Sequence, residues 1–438
     1  MYDLIIEDGT ILSSAGRRVA DIGVEGGEIV YIGSRPGGGA RERVSAIGRF
    51  VVPGFIDAHV HFRDPGHPAK EDWSSGSRSA ASGGVTTVCD MPNTSPPTIT
   101  AEAWHEKAAI AAARSVVNYG IWFGAASGRV EDARRMADEG PACGIKVFMG
   151  ASTGPLLVDD PTLVQFFERT TALMGVHAED EGVLQAQRVL WEGRTPPTHH
   201  DSRPAEAAVT AVRRLVTLTR EHPRPVHVCH VSTEAELAVL EAVRGELPIS
   251  LEASPHHLWL NHESPLGNYG KVNPPLRPEA DRRALWAALR QGLIDTIGSD
   301  HAPHTREEKE RSYAESPSGM PGVEFIFSLM LAAVRQGRIG LERVVQLCAE
   351  APAARFGFAR KGRIAVGADA DLVVFRENDL VRLTADRILS RVGWSPYLGQ
   401  NIAAKPEMVF VGGSLVARSG VIVDDAVRGS LVSPSRGA

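Results

Sequence analysis

Eight short apolar stretches recur through the middle of the chain, separated by longer Ala-, Arg- and Leu-rich stretches. They read VVPGFIDAHVH (51–61), GVTTVCDM (84–91), YGIWFGA (119–125), GIKVFMG (144–150), TALMGVHAE (171–179), RPVHVCHVS (224–232), LPISLEASP (247–255) and DTIGSDHA (295–302). Apolar runs of this length suit strands covered on both faces. The intervening segments, such as AEAWHEKAAIAAARS (101–115) and DRRALWAALRQG (281–292), have helical composition. Alternating strands and helices imply a parallel sheet, and eight such units are the number that closes a (β/α)8 barrel. The expected fold class is therefore α/β.

The two ends of the chain follow another pattern. DIGVEGGEIVYIG (21–33) is a pair of alternating runs around Gly26-Gly27, and MVFVGGSLVARSG (408–420) repeats the device around Gly412-Gly413. Both are hairpin signals, and ADLVVF (370–375) reads as a further strand. The simplest assembly is a barrel over residues 53–356, with 1–52 and 357–438 folding together as a small discontinuous β-sandwich domain. The final LVSPSRGA is expected to be mobile. A chain of 438 residues has room for one large domain and an accessory one. Its formal net charge of −6 gives no electrostatic case for nucleic acid or an anionic membrane surface. The opening MYDLIIEDGTILSS lacks a basic n-region, so no signal peptide is expected, and no apolar run is long enough to span a bilayer. Cys89, Cys143, Cys229 and Cys348 show neither metal-type nor disulfide-type spacing. A reduced, cytoplasmic setting is expected.

Polar residues are placed unevenly along these stretches. His61, Lys146, His177, His230 and Asp300 fall at or near the C-terminal ends of separate strands, the rim where barrel active sites sit. His59 and His61 share one strand face, because side chains alternate. Two imidazoles on one face can hold a metal ion. A pair of satisfied histidines is the other reading that this stretch alone leaves open.

Taken in order, HVHFRDPG (59–66), DMPNTSPPT (90–98), GIKVFMGASTG (144–154), HAEDE (177–181), HVCHVS (227–232), EASPHHL (252–258), KVNPPLR (271–277) and GSDHAPHTREEK (298–309) form a specific set. The set resembles the cyclic amidohydrolases of the metal-dependent barrel superfamily, and among them the dihydroorotases, over nearly the whole chain. That resemblance implies a (β/α)8 barrel with a small β-sandwich, in agreement with the pattern above. It also implies reversible, zinc-dependent hydrolysis of dihydroorotate to N-carbamoyl-aspartate in pyrimidine biosynthesis. Residue by residue, it makes His59 and His61 ligands of one zinc ion, completed by Asp300, and His177 and His230 ligands of a second. Lys146 would be carboxylated by CO2 on its side-chain nitrogen and would bridge the two ions together with a hydroxide. A free ammonium beside two dications would be repelled, whereas the carbamate leaves the centre with roughly one net positive charge, suited to an anionic substrate. Asp300 would take the proton of the attacking hydroxide and hand it to the leaving ring nitrogen.

The same resemblance places the substrate among His61, Arg63, Asn93, Asn273 and His304, with Gly319, Pro321 and Gly322 lining it through backbone groups. Arg63 can grip a carboxylate in a two-pronged contact. Blander readings stand beside these. Arg63 could face solvent at a strand end, Lys146 could snorkel, and Asn93 could be a turn residue in MPNTSPP. His105, His222, His262, His199 and His200 read as helix or loop residues, and His256-His257 as support for the site at most. On its strand Cys229 shares a face with His227 opposite His230, which makes it core rather than ligand.

Within the superfamily, dihydropyrimidinases (hydantoinases) and allantoinases share the barrel, the metals and the lysine. A metal-free scaffold on the same fold would have lost ligands, whereas this chain keeps all six candidates. The partners expected are a small-molecule substrate and further copies of the chain, with neither nucleic acid nor membrane.

Overall fold

The chain begins with β1 (Tyr2–Ser13), β2 (Gly16–Glu25), β3 (Glu28–Gly33), β4 (Ala40–Ser45) and β5 (Phe50–Pro53). β1 pairs antiparallel with β2 along its length, and its other edge is shared by β4 and β5, both parallel to it. The β2–β3 hairpin turns on Gly26 and Gly27 at φ 58° and 80°, a left-handed pair that only glycine adopts without cost. This computed structural model describes residues 1–435 apart from 153–155 and 378–379. Thr153 and Gly154, the end of the GIKVFMGASTG stretch, thus lie outside the described residues.

The barrel strands are β6 (Phe55–Val60), β7 (Val85–Asp90), β8 (Asn118–Ile121), β9 (Phe123–Gly124), β10 (Ile145–Phe148), β11 (Met174–His177), β12 (Val226–Val228), β13 (Ile249–Ala253) and β14 (Thr296–Ile297). All pair in parallel, with helices such as Ala101–Arg114, Ala205–Glu221 and Glu279–Gln291 between them. The single strand expected over 119–125 is two, because Trp122 interrupts the ladder. Its backbone N–H donates to Asp90 O at 3.1 Å and its indole to Ala58 O at 2.9 Å. β8 consequently pairs with β7 and β9 with β10. The ring closes beyond the short β14, where His61 N–H donates to His301 O at 2.7 Å and Ser299 N–H to Asp57 Oδ1 at 3.0 Å.

The C-terminal part adds β15 (Leu372–Phe375), β16 (Val381–Arg382), β17 (Asn401–Ile402), β18 (Met408–Val411), β19 (Ser414–Arg418) and β20 (Val421–Ile422). β15 inserts antiparallel between β5 and β18, so both termini build one sheet in the order β20-β19-β18-β15-β5-β1-β2-β3. The fold is a (β/α)8 barrel carrying a separate β-rich domain. Alternation along three strands explains their unbroken apolar runs. Val51, Leu372, Val374, Met408 and Phe410 face the core of the terminal domain with Leu4 and Ile22. Val52, Val373, Phe375, Val409 and Val411 join the large cluster of the barrel. Both faces are therefore buried.

Two stretches of the C-terminal part lie against the barrel. Leu383, Trp394, Tyr397 and Ile402 pack on Leu260, Met320 and Phe325. Val432 N–H donates to Tyr119 O at 2.8 Å, so residues 430–432 run along β8, and Ser435 N–H donates to Gly357 O at 2.7 Å. The expectation of a mobile tail fails for 431–435 because these backbone bonds and the burial of Val432 hold them. The remaining three residues lie outside the described ones. No helix among the described residues is long and apolar enough to cross a membrane.

A buried ion pair supports the rim at β7. Lys107, from the helix Ala101–Arg114, pairs with Asp90 and donates to Met91 O at 2.7 Å, and Asp90 in turn accepts the N–H of Phe62 at 2.7 Å. Both side chains of the pair are wholly buried. Lys107→Ala leaves an uncompensated buried carboxylate, and denaturant titration should show a loss of about 3–5 kcal/mol. A loss below about 1 kcal/mol would contradict this account.

Candidate metal centre

Three donor atoms converge at the C-terminal rim of the barrel. His59 Nε2 and His61 Nε2 lie 3.3 and 3.0 Å from Asp300 Oδ1, so all three can bind one ion. A second pair stands beside them, with His177 Nδ1 3.0 Å from His230 Nε2. Lys146 lines the same small polar cavity as these five residues, together with Phe148, Asn273, Ser318 and Gly319. The six candidate ligands of the sequence are thus brought together, all buried.

The far nitrogens show why the near ones carry lone pairs. His59 Nδ1 donates to Glu252 Oε1 at 2.7 Å, His61 Nδ1 to Asn93 Oδ1 at 2.6 Å, and His177 Nε2 to Glu179 Oε2 at 2.8 Å. Glu179 is held in turn by Arg203 through Nε at 3.1 Å. An acceptor on the outer nitrogen fixes the tautomer and aims the inner lone pair, the usual support of a metal-binding histidine. Neither Glu252 nor the Glu179–Arg203 pair stood out in the sequence as a site residue. Their only signal there was position, within EASPHHL and two residues beyond His177 in HAEDE.

The electrostatics agree with a cation site. Burial opposes a charged His59 ring, yet the charges of Glu252 and Asp300 outweigh it and lift the ring to about 10. Burial lowers His61 to about 4, helped by the neighbouring charges of Arg63 and His59, and it lowers His177 and His230 too. Asp300 resists the upward push of burial because His59, His61 and His230 surround it, and it stays well below the ordinary carboxylate range. The field that would hold a proton on His59 is one that a divalent cation would satisfy. Convergent lone pairs and an ionised carboxylate make the donor set fit zinc.

Backbone geometry delivers several of these groups. Arg63, His230 and Asp300 have φ of 61°, 36° and 48°, a left-handed region costly for residues with side chains and typical of functional sites. This is where simple strand alternation breaks down. The expectation that Cys229 faces away from the site is corrected: its Sγ lies 3.0 Å from Lys146 Nζ. β12 ends at Val228 and the turn through His230 brings both residues to the centre. Lys146 is also deeper than expected. It is the second residue of β10 rather than its last, paired level with Gly175 while His177 sits level with Phe148.

Around the centre, Arg63 is buried, and burial lowers it to about 10. Its Nε reaches Pro303 O at 3.4 Å and its Nη2 lies 3.2 Å from His304 Nε2. His304 Nε2 also lies 3.1 Å from Ser318 O, and burial lowers the ring to about 3. Asn93 stands behind His61, not free at a turn. Asn273 lines the cavity, with its Oδ1 accepting from His199 Nε2 at 2.8 Å, so His199 belongs to the rim. Gly319 lines the cavity; Pro321 and Gly322 stand behind it, where Gly322 N–H donates to His301 Nδ1 at 3.1 Å. His257 Nε2 donates to Pro274 O at 3.1 Å, supporting the loop that carries Asn273.

Comparison with known proteins agrees with this geometry. The amidohydrolase family model matches residues 50–416. A dihydroorotase of Halobacterium salinarum is 40% identical over 426 residues, covering 94% of this chain and 95% of its own. An allantoinase of Bacillus velezensis is 34% identical over 447 residues, covering 99% and 98%. Among solved structures, an L-hydantoinase from Arthrobacter aurescens superposes with a TM-score of 0.94 at 31% identity, over 99% of this chain and 100% of that one. The barrel, its rim of convergent metal donors and these relatives lead to one conclusion: the chain is a cyclic amidohydrolase and belongs to the amidohydrolase family.

Proposed function

We propose that the protein is a dihydroorotase, interconverting dihydroorotate and N-carbamoyl-aspartate. The observation that carries this reading is Arg63. A buried guanidinium has five N–H donors to satisfy, and here one weak carbonyl contact and a histidine ring are its only partners among the described residues. No carboxylate pairs with it there. Arg63 stands beside the cavity rather than in its lining, near enough for its charge to act on His61 and Asp300. An anionic group entering next to them would complete it with a charge-assisted fork. A neutral ring would leave it unsatisfied.

The residues present suit two zinc ions, one on His59, His61 and Asp300 and one on His177 and His230, with Lys146 carboxylated on Nζ between them. Lys146 is fully buried, its one polar contact is Cys229 Sγ, and no acid pairs with it among the described residues. As an ammonium it would be a poorly compensated buried charge. As a carbamate it would be an anion among cations. When bound, the metal pair lowers the pKa of its water toward ~7 and polarises the scissile carbonyl. Asp300, held ionised and aimed into the cavity, accepts the proton of the attacking water and returns it to the leaving ring nitrogen. Arg63 and Asn273 orient the substrate, and Asn93 and Glu252 keep His61 and His59 in the binding tautomer. A cytoplasmic setting and a homo-oligomeric state belong to the same reading.

The test is a side-by-side assay of ring opening with dihydroorotate, dihydrouracil, hydantoin and allantoin on the zinc-loaded enzyme. Dihydroorotate should lead in kcat/KM by on the order of 10²-fold or more, the worth of a buried carboxylate–arginine contact. Faster turnover of an uncharged ring would place the protein with the hydantoinases or allantoinases instead.

A further inference from the structure

We infer that Glu252 is a positioning residue that serves both metal sites at once, an inference that rests on the two-metal reading above. Glu252 is the fourth residue of β13, fully buried, and lies outside the His59–His61–Asp300 and His177–His230 sets, although its carboxylate is also grouped closely with His59 and Cys229. Its Oε1 accepts from His59 Nδ1 at 2.7 Å, fixing a ligand of the first site. The same oxygen accepts the backbone N–H of His230 at 3.1 Å, fixing a ligand of the second. That second bond falls on a residue whose backbone is held at φ 36°. A strained turn of this kind persists only where its surroundings over-determine it. One carboxylate on the seventh strand therefore ties a side chain of the first strand to a turn after the sixth.

Strand eight is built to admit it. A Cβ on Gly298 would come within 2.2 Å of Glu252 Oε2 and 2.5 Å of its Cδ, and the three nearest atoms it would meet all belong to Glu252. Gly298 has no left-handed φ, so the glycine is there for space rather than for conformation. Two variants consequently address the same carboxylate by independent routes. Glu252→Gln removes its charge while an amide oxygen can still accept one bond. Gly298→Ala keeps the charge but displaces the group.

The experiment is zinc binding to metal-stripped protein by competition with a chromophoric chelator, at fixed bicarbonate. Circular dichroism and thermal melts of the stripped proteins report folding. Wild type should take up two ions per chain. E252Q and G298A should each weaken both sites by about 10–100-fold, the range for losing an outer partner of a metal ligand. Wild-type affinity in either folded variant overturns the inference, as does weakening confined to one site. If one variant fails to fold, the other decides alone. A single zinc ion on the wild type would overturn the two-metal reading as well, whereas an indifferent variant against a two-zinc wild type overturns only the role of Glu252.

Discussion

Lys146→Ala should abolish turnover, with kcat/KM falling on the order of 10⁴-fold or more, while the chain stays folded. The side chain is fully buried, and its contacts are Cys229 Sγ at 3.0 Å and the ring of Phe148. Neither contact holds strands together; the β10 ladder to β11 and β9 runs through backbone atoms that alanine retains. What is lost on the proposed reading is the carbamate that would lie between the His59–His61–Asp300 and His177–His230 sets. Metal analysis should find less zinc per chain, and far-ultraviolet dichroism should be unchanged. An alanine variant that keeps two zinc ions would refute a bridging role for Lys146. A short carboxylic acid or bicarbonate at high concentration should restore part of the activity to the alanine variant, by supplying the missing anion in the vacated space.

Arg63→Ala should discriminate between substrates. Its kcat/KM for dihydroorotate should drop about 10²–10³-fold, matching the 3–5 kcal/mol of a broken buried pair. Turnover of dihydrouracil, however slow, should change by less than about threefold, the scale on which contacts that the ring does not make are felt. Arg63→Lys should recover only part of the loss, because a point charge on a flexible stem cannot reproduce the fork. Equal losses on both substrates would mean that Arg63 holds the rim rather than the ligand. The left-handed backbone at Arg63, at φ 61°, makes that alternative concrete and is the reason the neutral ring is the control.

Much of the fold was legible because burial on both faces leaves an unmistakable mark. Predominantly apolar runs located the eight barrel strands and β15, and Gly-Gly pairs located both hairpins. The run 51–61, read as one strand, is two: β5 pairs into the terminal sheet and β6 opens the barrel after Gly54. The shared facing of His59 and His61 was legible from their spacing, and both rings reach Asp300, although β6 ends at Val60 and His61 lies one residue beyond it. Legibility failed where the backbone left the strand. At His230 and Asp300 the positive φ cancels the period of two, so facing could not be read from spacing, and Cys229 was assigned to the wrong environment. The outer partners were hidden for another reason. Glu179, Arg203 and Glu252 act through side-chain bonds that cross between elements far apart in sequence, and nothing local marks them. Likewise, only the observed pairing across β10 and β11 reveals how deep Lys146 lies.

The insertion of β15 between β5 and β18 carries a consequence for biogenesis. As the chain leaves the ribosome from its N-terminus, β5 must wait for nearly the whole barrel to be synthesised before its antiparallel neighbour exists. Until then Val51 and Val52 sit on an open strand edge with apolar side chains on both faces, the type of surface that invites association between nascent chains. Truncation anywhere before residue 372 leaves that edge unmated, so soluble expression should collapse for shortened chains even when they contain every catalytic group.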